Sequence, residues 1–218
     1  MRREFKSVLL VALTNCTLLA VPPTSVAENP QVTVSVYNDA QAPGDTLGRA
    51  EQQAANAFLH AGLAITWINC AHLAIPACNE INGPDHLFLR ITPKAANVIS
   101  DSAFGIAFIG SDETGRNADV FWSRVKEIQA TSKVDVALIL GSVMAHEIGH
   151  LLLGSNAHAV NGIMRARWES GELHRISMGN LLFLPEQGKR MRARLDQQRA
   201  LMMSRIERLP DTRETSKN

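Results

Sequence analysis

Val143 to Met164 reads VMAHEIGHLLLGSNAHAVNGIM, and inside it His146, Glu147 and His150 spell HExxH. The run Leu138 to Leu153 is apolar at most of its other positions, the pattern of a helix buried on most of its faces. On an α-helix, positions i and i+4 share a face about one turn apart, so His146 and His150 can aim both imidazoles at one ion. Glu147 stands beside the first of them. Its carboxylate can then take a proton from a water at the open position of that ion without being a ligand itself.

Two histidines do not hold a zinc tightly, since catalytic zinc usually has three protein ligands and one exchangeable water. Gly154 follows Leu153 and is the usual residue for a left-handed stop that turns the chain back. His158 lies four residues beyond that stop and is the expected third ligand. Next comes Gly162-Ile163-Met164. Met164 either turns back beneath the ion, with its thioether as a polarisable floor for the imidazoles, or is an ordinary core methionine.

The segment resembles the zinc-binding motif of the metzincin metallopeptidases, secreted zinc proteases with a third histidine and a Met-turn. Their pattern is HExxHxxGxxH, whereas HEIGHLLLGSNAH carries one added residue on each side of the glycine. The resemblance implies Zn2+ held by His146, His150 and His158, Glu147 as the catalytic general base, and peptides or proteins as substrates. Glu169, nineteen residues after His150, matches instead the glutamate third ligand of the gluzincins. Those place it on a second helix. Gly162 and the short connection lead us to expect none here, which favours His158. Metzincins often have a tyrosine near the Met-turn to stabilise the oxyanion, but the one tyrosine of this chain is Tyr37. Arg165, Arg167 and His174 are the substitutes considered.

Outward from this core, Val32 to Tyr37 alternates as VTVSVY, a half-buried strand. Asp45 or Thr46 can cap a helix through about His60, with Leu47, Ala50, Ala54, Ala57 and Phe58 on one face. Ile65 to Ile68, His86 to Ile91, Phe104 to Ile109 and Asp119 to Trp122 read as further strands, while Ser123 to Lys133 has no clear periodicity. Pro185 opens a last helix with Met191, Leu195, Met202, Ile206 and Leu209 at helical spacing. The fold class expected is α+β and zincin-like. A twisted mixed sheet, a helix and the HExxH helix make an upper part (32–153), followed by a smaller, mainly helical lower part (154–209). In that family an edge strand above the metal accepts an extended peptide; Phe104 to Ile109, or the loop Ser111 to Asn117, is the candidate.

Arg2, Arg3 and Lys6 precede an apolar stretch from Val8 to Val21, then Pro22-Pro23 and Ser25-Val26-Ala27. This reads as a signal peptide over 1–27, with an uncleaved anchor as the other possibility. The remaining 28–209 is expected to be one domain and 210–218 a flexible tail. Without the leader the chain has 19 Lys+Arg against 20 Asp+Glu, which gives no electrostatic case for nucleic acid or for stable membrane insertion. Cys70 and Cys78 read as a local disulfide in an exported protein, or as free thiols. The expected function is thus a secreted zinc metalloendopeptidase, extracellular or periplasmic, of undetermined oligomeric state. The other readings are a secreted zinc-binding or interaction module without useful catalysis, and a hydrolase of non-peptide amides.

Overall fold

The computed structural model describes residues 29–70, 78, 83, 85–95 and 103–208. The signal peptide expected at 1–27, the tail at 210–218 and Leu209 lie outside the described residues. The fold is α+β with a mixed five-stranded sheet. In chain order the elements are β1 (Gln31–Asn38), α1 (Gly44–His60), β2 (Ala64–Asn69), β3 (His86–Thr92), β4 (Gly105–Phe108), β5 (Asn117–Phe121), α2 (Trp122–Ser132), α3 (Val136–Leu153), α4 (Ser170–Ser177) and α5 (Pro185–Ile206). The strand order is β2-β1-β3-β5-β4. All neighbours are parallel except β4, which runs antiparallel to β5 at the edge.

The alternation seen in the sequence sets the core. Val32, Val34 and Val36 of β1, Leu87, Leu89 and Ile91 of β3, and Ala118 and Val120 of β5 are buried on one face of the sheet. α3 packs against β3, β4 and β5, while α1 packs against β2 and α3. The helices come close because Gly141 of α3 lies against α1, where an added Cβ would stand 2.8 Å from Gln53 Cβ and run into the Ala50 carbonyl. α3 is long and apolar enough to cross a membrane, but 89% of it is buried inside the fold. It is the core helix. Burying a Leu or Ile side chain contributes about 1.5–3 kcal/mol, and α3 supplies Ile139, Leu140, Val143, Met144 and Ile148, all fully buried.

Several boundaries differ from the sequence reading. α1 starts at Gly44 after Pro43 with no side-chain cap, so neither Asp45 nor Thr46 plays that part. The segment without clear periodicity is helix α2, on which Val125 is the buried residue. A helix that buries one position shows little periodicity. In α5, Met191 and Leu195 are buried but Met202 is 41% exposed, so the helix leaves the core along its second half. Cys70 and Cys78 form the disulfide, as expected for an oxidising compartment.

Candidate metal centre

Asp135 caps α3, its side chain accepting from Ala137 N at 2.8 Å. Gly154 ends the helix in the left-handed conformation (φ 62°), and Ser155 N donates back to the His150 carbonyl at 3.2 Å. The chain is thereby turned across the end of α3, and it brings His158 to His146 and His150. Among the described residues these three form the one group suited to hold a metal ion, with one ligand nitrogen from each ring lying within 4.8 Å of the others. The ring centroids are 4.7 to 5.4 Å apart.

Backbone carbonyls fix two of the rings. His146 Nδ1 donates to the Ile163 carbonyl and His150 Nδ1 to the Ser155 carbonyl, each at 2.7 Å. Both Nε2 atoms are then lone-pair donors, and they face each other at 3.0 Å. Two unshared pairs at that distance repel unless a cation sits between them. Zinc–imidazole bonds of about 2.0–2.1 Å at a tetrahedral angle separate two nitrogens by about 3.3 Å, so the donor set fits zinc.

The Gly162–Met164 turn supports this arrangement from below. Gly162 is left-handed (φ 77°), Ile163 N donates to Leu182 O at 2.9 Å, and Ala159 N donates to Met164 O at 2.8 Å. The Ile163 carbonyl accepts from His146 and also from Trp168 Nε1 at 3.3 Å. Met164 is fully buried; a Cβ at Gly149 would stand 2.7 Å from its sulfur and from the Phe183 ring. The thioether thus packs against α3 at Gly149, beside the Phe183 ring.

Glu147 is 4% exposed and opens into the same cleft, which has a volume of about 330 Å³. β4 forms one wall: Gly105 Cβ, if present, would lie 2.7 and 2.8 Å from Glu147 Cγ and Cδ and would run into the Asp119 carbonyl. Phe121 N donates to Phe104 O, so residues 104, 106 and 108 turn their backbone groups to β5, while Gly105 and Ala107 turn theirs to the open edge. The opposite wall carries Asn156, His158, Ala166 and Arg167. Behind the cleft, Arg194 of α5 lies against Gly154 and donates to the Glu113 carbonyl at 2.8 Å and to its carboxylate at 3.2 Å. One guanidinium therefore touches both the β4–β5 connection and the turn leading to His158.

Burial of His146, with His150 beside it, pushes its pKa from 6.5 down to about 3. Burial likewise lowers His150 and His158. All three are neutral, as ligation requires. Burial alone pushes Glu147 up from 4.5 to about 8. In the metal-free protein the folded state thus keeps a proton that the unfolded chain has released, and stability falls as pH rises from 4.5 to 8. The depressed histidines give the opposite slope only below 6.5. Thermal unfolding of metal-free protein is therefore expected to move to lower temperature between about pH 6.5 and 8. Glu147→Gln should remove that decline; an unchanged slope in the variant would rule out Glu147 as its source.

Glu169 is placed otherwise. A second helix does exist, correcting the expectation from Gly162: α4 starts at Ser170, with Glu169 as its N-cap, whose backbone N–H donates to the Glu172 carboxylate at 3.1 Å. Yet the Glu169 carboxylate is 71% exposed and pairs with Arg165 at 3.1 Å, outside the histidine group. Arg165 is also held by Glu172 at 2.6 Å. Of the oxyanion candidates, only Arg167 lines the cleft; His174 is exposed on α4. Tyr37 is tied to the Cys78 carbonyl at 2.8 Å. Sequence reasoning missed Trp168, whose ring stands 6.0 Å from His146 and 5.0 Å from Phe104, and Gly105, although a glycine in a strand is a known sign of close backbone approach.

This fold has a solved counterpart. The chain is similar to the crystal structure of a zinc-dependent peptidase from Methanocorpusculum labreanum, with a TM-score of 0.50 and 15% identity over 72% of this chain and 99% of that one. At that identity the likeness is one of fold. No protein-family model matches the sequence, and no curated protein matches it.

Proposed function

We propose that this chain is a secreted zinc metalloendopeptidase with a metzincin-like centre, its metal held by His146, His150 and His158. The observation that supports it most is the pair of carbonyl-fixed imidazoles whose Nε2 atoms face each other at 3.0 Å, with a third imidazole and a buried carboxylate in the same cleft. The fold of a known zinc-dependent peptidase and the disulfide agree with this reading. In this reading residues 1–27 are a cleaved leader and 28–209 one catalytic domain.

Bound zinc supplies a water of lowered pKa and a positive charge that polarises the scissile carbonyl. The residues of the chain do the rest. The open backbone groups of Gly105 and Ala107 pair with an extended peptide by strand addition, laying its scissile bond across the cleft. Glu147 accepts a proton at its carboxylate as water adds to the carbonyl, and then passes that proton to the departing amine. The Ile163 and Ser155 carbonyls hold the two helical imidazoles in the tautomer that presents Nε2. Trp168, itself buried, packs edge-on against His146 with ring centroids 6.0 Å apart.

Elemental analysis of the purified protein tests the ligand set. About one zinc per wild-type chain is expected. His158→Ala should weaken binding by about two to three orders of magnitude in Kd, given that a two-histidine site remains, whereas Glu169→Ala should leave it unchanged. Full occupancy in His158→Ala together with loss in Glu169→Ala would move the third ligand to Glu169.

A further inference from the structure

The arginines around the cleft are not equivalent. Arg165 is neutralised by Glu169 and Glu172, and Arg175 pairs with Glu172 at 3.3 Å. Arg167 has no ion-pair partner among the described residues, and it lines the metal cleft. The described lining holds one carboxylate, that of Glu147, and this is buried beneath β4. Beside Arg167 the described lining includes the small side chains of Ala103, Ala107 and Ala166. A guanidinium binds a carboxylate through two parallel N–H···O bonds, with a planar match that no neutral side chain offers.

Resting on the peptidase reading above, we propose that Arg167 is a specificity residue that recognises an acidic side chain of the substrate close to the scissile bond. A peptide paired with β4 advances about 3.3 Å per residue and turns alternate side chains to opposite faces. Arg167 lines the same cleft as the histidines and Glu147, so the positions it would read are sought within about two residues of the scissile bond. The open position of the cleft toward solvent keeps this a moderate, screenable preference rather than an absolute requirement.

The test uses zinc-loaded protein and peptides identical except for Glu, Gln or Lys at each of the two residues on either side of the bond cut. Wild type should favour Glu over Lys at one of these positions by about fivefold or more in kcat/KM, with the ratio shrinking at high salt. Arg167→Gln should flatten the ratio and Arg167→Glu should invert it. The ratio is read within one protein preparation, so a variant that folds in part still reports it. A wild type that cleaves all peptides without regard to charge would overturn this proposal and leave the peptidase reading standing. A uniform fall for every peptide in both variants, with the ratio kept, would make Arg167 an oxyanion donor instead. Cleavage of no peptide by the wild type would overturn the peptidase reading and this proposal together.

Discussion

Glu147→Gln is expected to keep its zinc and to lose about three orders of magnitude in kcat, with kcat/KM falling in parallel. The amide has the shape of the acid but cannot take the proton that must leave the attacking water. Positioned general bases contribute about 10²–10⁴-fold. Because this interaction exists only in the transition state, KM should hardly move. The histidine rings are oriented by the Ile163 and Ser155 carbonyls and not by Glu147, so metal content should stay at the wild-type level. Turnover by the variant at the wild-type rate, with zinc bound, would remove Glu147 from the mechanism. Loss of zinc would make it a structural part of the site.

Gly105→Ala is the second large effect, and it acts without touching the metal ligands. The new methyl would meet the Glu147 side chain and the Asp119 carbonyl at once. The carbonyl belongs to the paired strand β5 and yields little, so the strain falls on Glu147 or on the spacing of the two strands. Overpacking of this kind costs about 1–3 kcal/mol of stability. A displacement of about 1 Å at a reacting group costs on the order of a hundredfold in rate. The expected result is a folded, zinc-loaded protein with kcat reduced about a hundredfold. The neighbouring substitution Ala107→Ser serves as the comparison, and equal losses in both would refute a specific role for Gly105.

The sequence and the structure agree most where periodicity and chemistry coincide. HExxH on an apolar helix, Gly154 after it and His158 beyond were legible because each follows from local rules: helical spacing, left-handed stops and ligand chemistry. The alternating strands β1 and β3 were equally plain, since one face is buried and the other is not. The edge position of β4 agreed as well, although its antiparallel direction and its place beside β5 depend on pairings between distant parts of the chain. α2 was illegible because it buries little more than Val125. The second helix at Ser170 carries no ordinary start signal, since its N-cap is Glu169 and not Ser, Thr, Asp or Asn. The role of the Ile163 carbonyl, which serves both His146 and Trp168, leaves no trace in side-chain identity at all.

The Arg194 contacts have a consequence for how the cleft moves. Its two walls come from distant stretches of chain, the β4–β5 hairpin and the loop after α3, and nothing in their own sequence obliges them to keep pace. A single guanidinium, fixed to Glu113 on one side and seated against Gly154 on the other, yokes them like the rivet of a pair of tongs. The jaws are thereby tied at one point, since the guanidinium that holds Glu113 also fills the space beside the turn that leads to His158. The last helix, remote from the histidines, thereby reaches the stretches of chain that continue into both walls of the groove.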